Sequence, residues 1–303
     1  MSTSTSTTAA AAPWGRLGVA MVTPFDPDGA LDVKGLESVV EHLLASGHDL
    51  IVVNGTTGES PTTSDAEKTS LVEQTVGLVG GRASVMAGIG SADTHHTVGL
   101  AQEAARAGAD GLLVVTPYYS RPTQAGLIAH FTAVADSTDL PCMLYDIPVR
   151  TGTAIATETL LRLADHPRIA AVKDAKGDIA ATTGLIATTD LAFYSGSDEN
   201  NLAWLAIGAV GLVSVVGHVA GSQYSEMIAA VDAGDLARAR SIDRSLVPAV
   251  RAIMMRVPGA VAAKAALVEL GVLADATVRL PQIAMTEADL ALLRADLAAS
   301  GLL

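Results

Sequence analysis

Short apolar runs recur along the chain, separated by longer stretches whose apolar residues fall at helical spacing. The runs occur in RLGVAMVTPF, DLIVVNG, ASVMAGIG, ADGLLVVTP, PCMLYDIP, IAAVKDA, LAFYSGSD and VGLVSVVGH, eight in all. Each has the length and composition of a buried strand. The stretches between them, such as VKGLESVVEHLLASG and SDAEKTSLVEQTVGLVG, read as amphipathic helices ending at Gly47, Gly80 and Gly108. Ser64 with Glu67 three residues on predicts a capping box at one helix start. Strand and helix therefore alternate eightfold, which is the pattern of a (β/α)8 TIM barrel. Periodicity alone also permits a doubly wound open sheet.

After about residue 230 the alternation stops. Residues 233–255, 259–271 and 286–303 read as helices, with Pro248, Pro258 and Pro281 expected to interrupt the pattern. The organisation expected is a disordered low-complexity tail over 1–13, a barrel over 14–232 and a C-terminal helical appendage over 233–303.

Composition narrows the class. Half the residues are hydrophobic but only 3% are aromatic, so the interior must be built from Ala, Val, Leu and Ile. No uninterrupted apolar run is long enough for a membrane span, and MSTSTSTTAAAAP at the N-terminus lacks the form of a secretory signal. These features point to a cytoplasmic protein. The single cysteine, Cys142, is expected to be inert core. A net charge of −13 with only 19 Lys and Arg argues against a nucleic-acid partner.

In a barrel, chemistry belongs at the C-terminal ends of the strands. Those places hold Thr23, NGTTGE at 54–59, TPYY at 116–119, YDIPVRTG at 145–152, Lys173, SGSD at 195–198 and Ser214. Of five lysines, only Lys173 terminates an apolar strand, following Ile169, Ala170, Ala171 and Val172. Desolvation there lowers the pKa of an amine and makes a neutral nucleophile able to form a Schiff base. By itself the residue is equally consistent with a packed stem whose ammonium reaches water, or pairs with Asp174 or Asp198. The glycine-flanked Thr56 and Thr57 can expose N–H groups to an anion. Tyr145, Thr56 and Tyr119 can form a proton relay, and Arg150 can clamp a carboxylate at two points. Metal-ligand spacing is absent among the seven histidines, and His95 and His96 are expected to be solvated at a helix start.

The ordered set GTTGES, VTPYYSRP, LYDIPVRTG, VKDAKGD and YSGSD, spanning the chain from about residue 17 onward, resembles the dihydrodipicolinate synthase family, also called 4-hydroxy-tetrahydrodipicolinate synthases, and particularly its actinobacterial form. That resemblance implies a lyase of the diaminopimelate and lysine pathway, condensing pyruvate with L-aspartate 4-semialdehyde. It implies that Lys173 attacks pyruvate C2 and that Thr57, with the Thr56 backbone, holds the pyruvate carboxylate. Tyr145 would then be general acid and base, relayed through Thr56 to a Tyr119 contributed by a neighbouring subunit of a homotetramer, a dimer of dimers. Arg150 would receive the semialdehyde carboxylate, and Gly196 and Val213 would line the pocket. No metal or other cofactor is implied beyond the covalent link on Lys173.

The match departs where family members inhibited by lysine bind it. Asp65, Lys68, Ala92 and His96 stand at those positions, with Tyr118 retained, so inhibition by lysine is expected to be weak or absent. The same Schiff-base lysine also suits other pyruvate-dependent aldolases, such as N-acetylneuraminate lyase or a 2-keto-3-deoxy sugar acid aldolase; Arg150 and the Tyr118–Tyr119 pair favour the semialdehyde. A non-catalytic metabolite-binding barrel is a rival of another class, and a phosphate-binding barrel lacks the expected glycine-rich loop. No role is assigned to the segment around Trp14.

Overall fold

Alternation within the strands decides the architecture, which a computed structural model describes for residues 11–303. The predicted tail, 1–13, lies outside the described residues except for its last three. The strands are β1 (Leu17–Ala20), β2 (Leu50–Val53), β3 (Ser84–Gly88), β4 (Gly111–Val115), β5 (Cys142–Asp146), β6 (Ile169–Asp174), β7 (Ala192–Ser195) and β8 (Gly211–Ser214). They pair in parallel in chain order, and β8 closes on β1 to form a barrel. Successive residues point to opposite faces. Thus Ala20, Leu50, Val52, Met86, Met143 and Ala171 fill the barrel interior. Their neighbours Val19, Ile51, Ala87, Leu144 and Val172 pack outward under the helices. Burial of both faces explains why these strands read as continuous apolar runs. The open-sheet alternative is excluded by closure.

The surrounding helices are α1 (Val33–Ala45), α2 (Asp65–Val79), α3 (Thr94–Arg106), α4 (Gln124–Asp136), the single turn α5 (Pro148–Thr151), α6 (Thr157–Leu163), α7 (Ile179–Thr188), α8 (Asn201–Ala206) and α9 (Gly217–Asp232). The capping box foreseen at Ser64 and Glu67 starts α2. Gly80 ends that helix at φ +56°, a left-handed conformation in which a Cβ would be strained.

Beyond α9 lie α10 (Leu236–Val250), α11 (Gly259–Glu269) and α12 (Glu287–Ala299). They share a core with α9 and with Leu17 and Leu212 on the outer wall of the barrel. Pro248 does not interrupt its helix as expected. The hydrogen bond it forgoes would run to the carbonyl of exposed Arg244, where water can substitute, and α10 continues through it into a π turn at Arg251–Met255.

Trp14, without an assigned role from sequence, joins the interior cluster at the N-terminal end of the barrel and donates from Nε1 to Asp110 O at 3.0 Å. Tyr194 reaches down from β7 to donate to Gly15 O at 2.9 Å. Together they plug the end opposite the candidate site. No helix among the described residues is long and apolar enough to cross a membrane.

Candidate active site

Strand parity answers why a lysine follows four apolar residues. Ala171 points into the barrel and Val172 outward, so Lys173 points inward again, at the C-terminal end of β6. It is only 4% exposed. Its register partner on β5 is Tyr145, and Lys173 Nζ stands 4.3 Å from the centroid of that ring. Lys173 enters no ion pair among the described residues. Asp174 instead accepts from Lys176 N, Gly177 N and Thr182 Oγ1. Asp198 accepts from Ser214 Oγ, from Val215 N at 2.8 Å, from Val216 N at 3.0 Å and from Asn201 Nδ2 at 3.0 Å.

The electrostatics follow from this enclosure. Burial pulls the Lys173 amine down to about 8, with the Asp198 carboxylate opposing and the Arg150 cation adding to the shift. Burial pushes the Tyr145 phenol up to about 12, with Arg150 opposing and Asp198 adding. A partly neutral amine beside a firmly protonated phenol is a nucleophile paired with an acid.

A cavity of about 460 Å³ opens beside Tyr145, and Thr56, Tyr145 and Arg150 line it, whereas Lys173, Gly196 and Val213 are not on its wall. Thr57 lies in the same loop, buried but not on the cavity wall. That loop is shaped by left-handed backbone at Asn54 and Glu59 and by Thr23 Oγ1 donating to Gly58 O at 2.7 Å. Neither threonine hydroxyl has a protein partner among the described residues, and that of Thr56 faces the cavity. Arg150 sits on α5, whose turn is held by Thr151 Oγ1 donating to Ile147 O and Thr153 O. Val213 is buried in the interior cluster. Gly196 packs against β6 so closely that a Cβ would lie 3.0 Å from Asp174 O, a contact tight enough that the β6 backbone would have to give by a few tenths of an ångström.

Tyr119 is not brought to the cavity within one chain. It is 94% exposed, at φ +69°, while its neighbour Tyr118 lines the cavity. Arg121 Nε donates to Gly152 O at 3.0 Å and ties this loop to the one bearing Arg150. Asp65 and His96 bond each other at 2.9 Å on one side of the same cavity, so His96 is paired as well as solvated.

Three features escaped sequence reasoning. Asp146, fully buried on the outward face of β5, stands 3.4 Å from Lys176 Nζ and accepts from Ile155 N, bracing the segment after α5. Burial pushes its carboxyl up to about 6, with Lys176 opposing. Glu59 and Lys264 form a buried ion pair. The signal for the latter was present: α11 is apolar on every face, so a lysine in it must be buried and needs a counter-charge. The third is the basal plug at Trp14. Among the described residues no group of three or more His, Cys, Asp or Glu side chains could hold a metal ion. Cys142 is buried, and burial pushes its thiol up to about 12, in keeping with inert core.

Comparison with known proteins agrees with this geometry. The chain is 56% identical to the 4-hydroxy-tetrahydrodipicolinate synthase of Kineococcus radiotolerans, over 96% of this chain and 94% of that protein. It is 55% identical to the enzyme of the same name from Acidothermus cellulolyticus, over the same shares. Among solved structures, dihydrodipicolinate synthase from Bacillus anthracis superposes with a TM-score of 0.91 at 40% identity, covering 94% of this chain and 98% of that one. A chloride-inhibited dihydrodipicolinate synthase from Acinetobacter baumannii, complexed with pyruvate, gives 0.91 at 35% identity, covering 96% and 100%. The pattern of the dihydrodipicolinate synthetase family matches residues 13–300, and with a closed barrel, an inward lysine ending β6 and this degree of identity, the chain belongs to that family.

Proposed function

We propose that this barrel condenses pyruvate with L-aspartate 4-semialdehyde to give 4-hydroxy-tetrahydrodipicolinate, with Lys173 as the Schiff-base lysine. The observation that carries the reading is a buried amine, 4.3 Å from the ring of Tyr145, which itself lines a cavity together with hydroxyls and one guanidinium. Neutral Lys173 adds to pyruvate C2, and loss of water gives an iminium. The positive nitrogen withdraws electrons from C2, so a proton leaves C3 and an enamine forms. Its C3 attacks the aldehyde carbon of the second substrate, and the aldehyde oxygen takes up a proton. The substrate's own amine then attacks C2 and displaces Lys173, closing the ring.

Thr57 and the Thr56 backbone hold the pyruvate carboxylate. Tyr145 gives and takes the protons, relayed through Thr56 to Tyr119. Arg150 receives the semialdehyde carboxylate at the lip of the cavity, while Gly196 and Val213 line the pocket around Lys173. Because Tyr119 stands in solvent on its own chain, the relay is completed by a second copy, in a homotetramer built as a dimer of dimers. The covalent link on Lys173 supplies the electron sink, so the scheme calls for no cofactor. The reaction is assigned to the cytoplasm. Asp65 engaged with His96, and 3.8 Å from Lys68, supports weak or absent inhibition by lysine.

A coupled assay of pyruvate with aspartate semialdehyde tests the reading. Wild type should turn over and Lys173→Ala should not. Turnover with N-acetylneuraminate or a 2-keto-3-deoxy sugar acid, but not with the semialdehyde, would assign the barrel to another pyruvate aldolase.

A further inference from the structure

The loop that bears Thr56 and Thr57 is gripped from outside the barrel. Glu59, three residues past Thr56, is buried with a left-handed backbone at φ +55°, and its N–H donates to Thr56 O at 3.1 Å. Its carboxylate takes Lys264 Nζ on one oxygen and Arg279 N, at 2.9 Å, on the other. Lys264 is fully buried in α11 and also donates to Thr277 O at 2.7 Å. The Arg279 guanidinium donates to Thr62 O, in the same loop, at 2.8 Å, to both oxygens of Glu67, and to Gly29 O. Both cations lie 4.1 Å from the Phe25 ring centroid. Residues far apart in the chain thus meet in one charged cluster, buried at Glu59 and Lys264 and half-buried at Arg279 and Glu67: the loop after β1, the loop after β2, and the C-terminal segment.

Burying a carboxylate and an ammonium costs desolvation that their attraction repays only in part, and an apolar pair of similar volume would serve stability as well. A charged pair does what an apolar one cannot, since it fixes direction. Glu59 has a strained backbone, and two donors on its two oxygens allow one orientation of the residue and therefore of the peptide groups next to it.

We propose that Glu59, Lys264 and Arg279 are positioning residues, through which the C-terminal helices set the geometry of the carboxylate-holding loop at Thr56 and Thr57. The proposal rests on the assignment of that loop to pyruvate. It gives the appendage a function in substrate binding as well as in packing.

The test is the pyruvate concentration that half-saturates borohydride trapping on Lys173, measured with kcat and thermal melting for Glu59→Gln, Arg279→Lys and a control, Arg294→Ala. The control breaks the Arg294–Glu269 ion pair, which lies in the same C-terminal region but away from the loop. Half-saturation for pyruvate should rise about tenfold or more in Glu59→Gln and Arg279→Lys, with KM for the semialdehyde changed less than about threefold. Arg294→Ala should leave half-saturation unchanged. If Glu59→Gln does not fold, Arg279→Lys carries the same measurement. Melting points that fall while half-saturation stays at the wild-type value would overturn the positioning role and leave the pyruvate assignment standing. Wild type that traps no pyruvate would remove both.

Discussion

Tyr145 and Lys173 face each other in register across β5 and β6, and the lysine nitrogen sits 4.3 Å from the centroid of the tyrosine ring. The same burial moves their pKa values in opposite directions, the amine to about 8 and the phenol to about 12. At pH 7 a pKa of 8 leaves a neutral amine fraction about 300-fold larger than the ordinary lysine value would. The phenol keeps its proton, ready to donate. One apolar enclosure therefore prepares both partners.

Replacing Tyr145 by Phe separates the two contributions of that residue. The ring still covers Lys173, so trapping of pyruvate by borohydride should survive with its pH dependence intact. Turnover should fall by about 10²- to 10⁴-fold, the usual worth of a positioned acid and base. Steady-state kinetics near the wild-type rate would remove Tyr145 from proton transfer.

In the proposed reaction Arg150 acts on both substrates, but differently. Arg150→Ala should lower kcat/KM for the semialdehyde on the order of 10- to 100-fold through loss of a charged hydrogen-bond donor. Its cation also depresses the Lys173 pKa, so the midpoint of the trapping profile should move to higher pH in the variant. An unchanged KM for the semialdehyde would place that carboxylate elsewhere.

Tyr119 offers a test of shared sites. Subunits carrying Tyr119→Phe and subunits carrying Lys173→Ala should each be nearly inactive alone. After subunit exchange activity should return, because Lys173 of the first kind then meets Tyr119 of the second. Mixtures that exchange, by native mass spectrometry, yet stay inactive would show that each chain completes its own site.

Stability should rise with pH between about 4.5 and 6.5. Val22 N–H donates to His218 Nε2, which leaves Nδ1–H to donate to Val215 O, so this buried ring must be neutral. Burial holds His218 down to about 3 and His48 and His130 to about 4. Folded pKa values below the unfolded one mean that the unfolded chain binds more protons, and stability is lost as pH falls from 6.5 toward 4. Asp146, raised to about 6, and Asp243, also raised by burial, work in the opposite sense over part of this range, two groups against three. Urea midpoints at pH 4.5, 5.5 and 6.5 check the sign; a midpoint that falls as pH rises would contradict it.

How far the sequence could be read depended on the range of the interaction. Barrel order, the capping box at Ser64 and the chemical identity of Lys173 all rest on neighbours within a few positions, and local patterns carry them. Pro248 was misjudged because the consequence of a missing N–H depends on whether the orphaned carbonyl is wet, which only tertiary exposure decides. Lys264 looked like an ordinary helix lysine, since its partner Glu59 lies 205 positions away. Asp146 with Lys176, and Trp14 under the barrel, were hidden for the same reason: each acquires its role only when the sheet closes. Tyr119 goes one step further, because in a single chain it stands in solvent.

The most direct measurement is borohydride reduction with pyruvate across a pH series, followed by peptide mass mapping. A reduced pyruvyl adduct should appear on Lys173 and on no other lysine, with the initial trapping rate rising with pH and levelling above about 8 as the amine loses its proton. An adduct on a different lysine, or none while product still forms, would contradict the account.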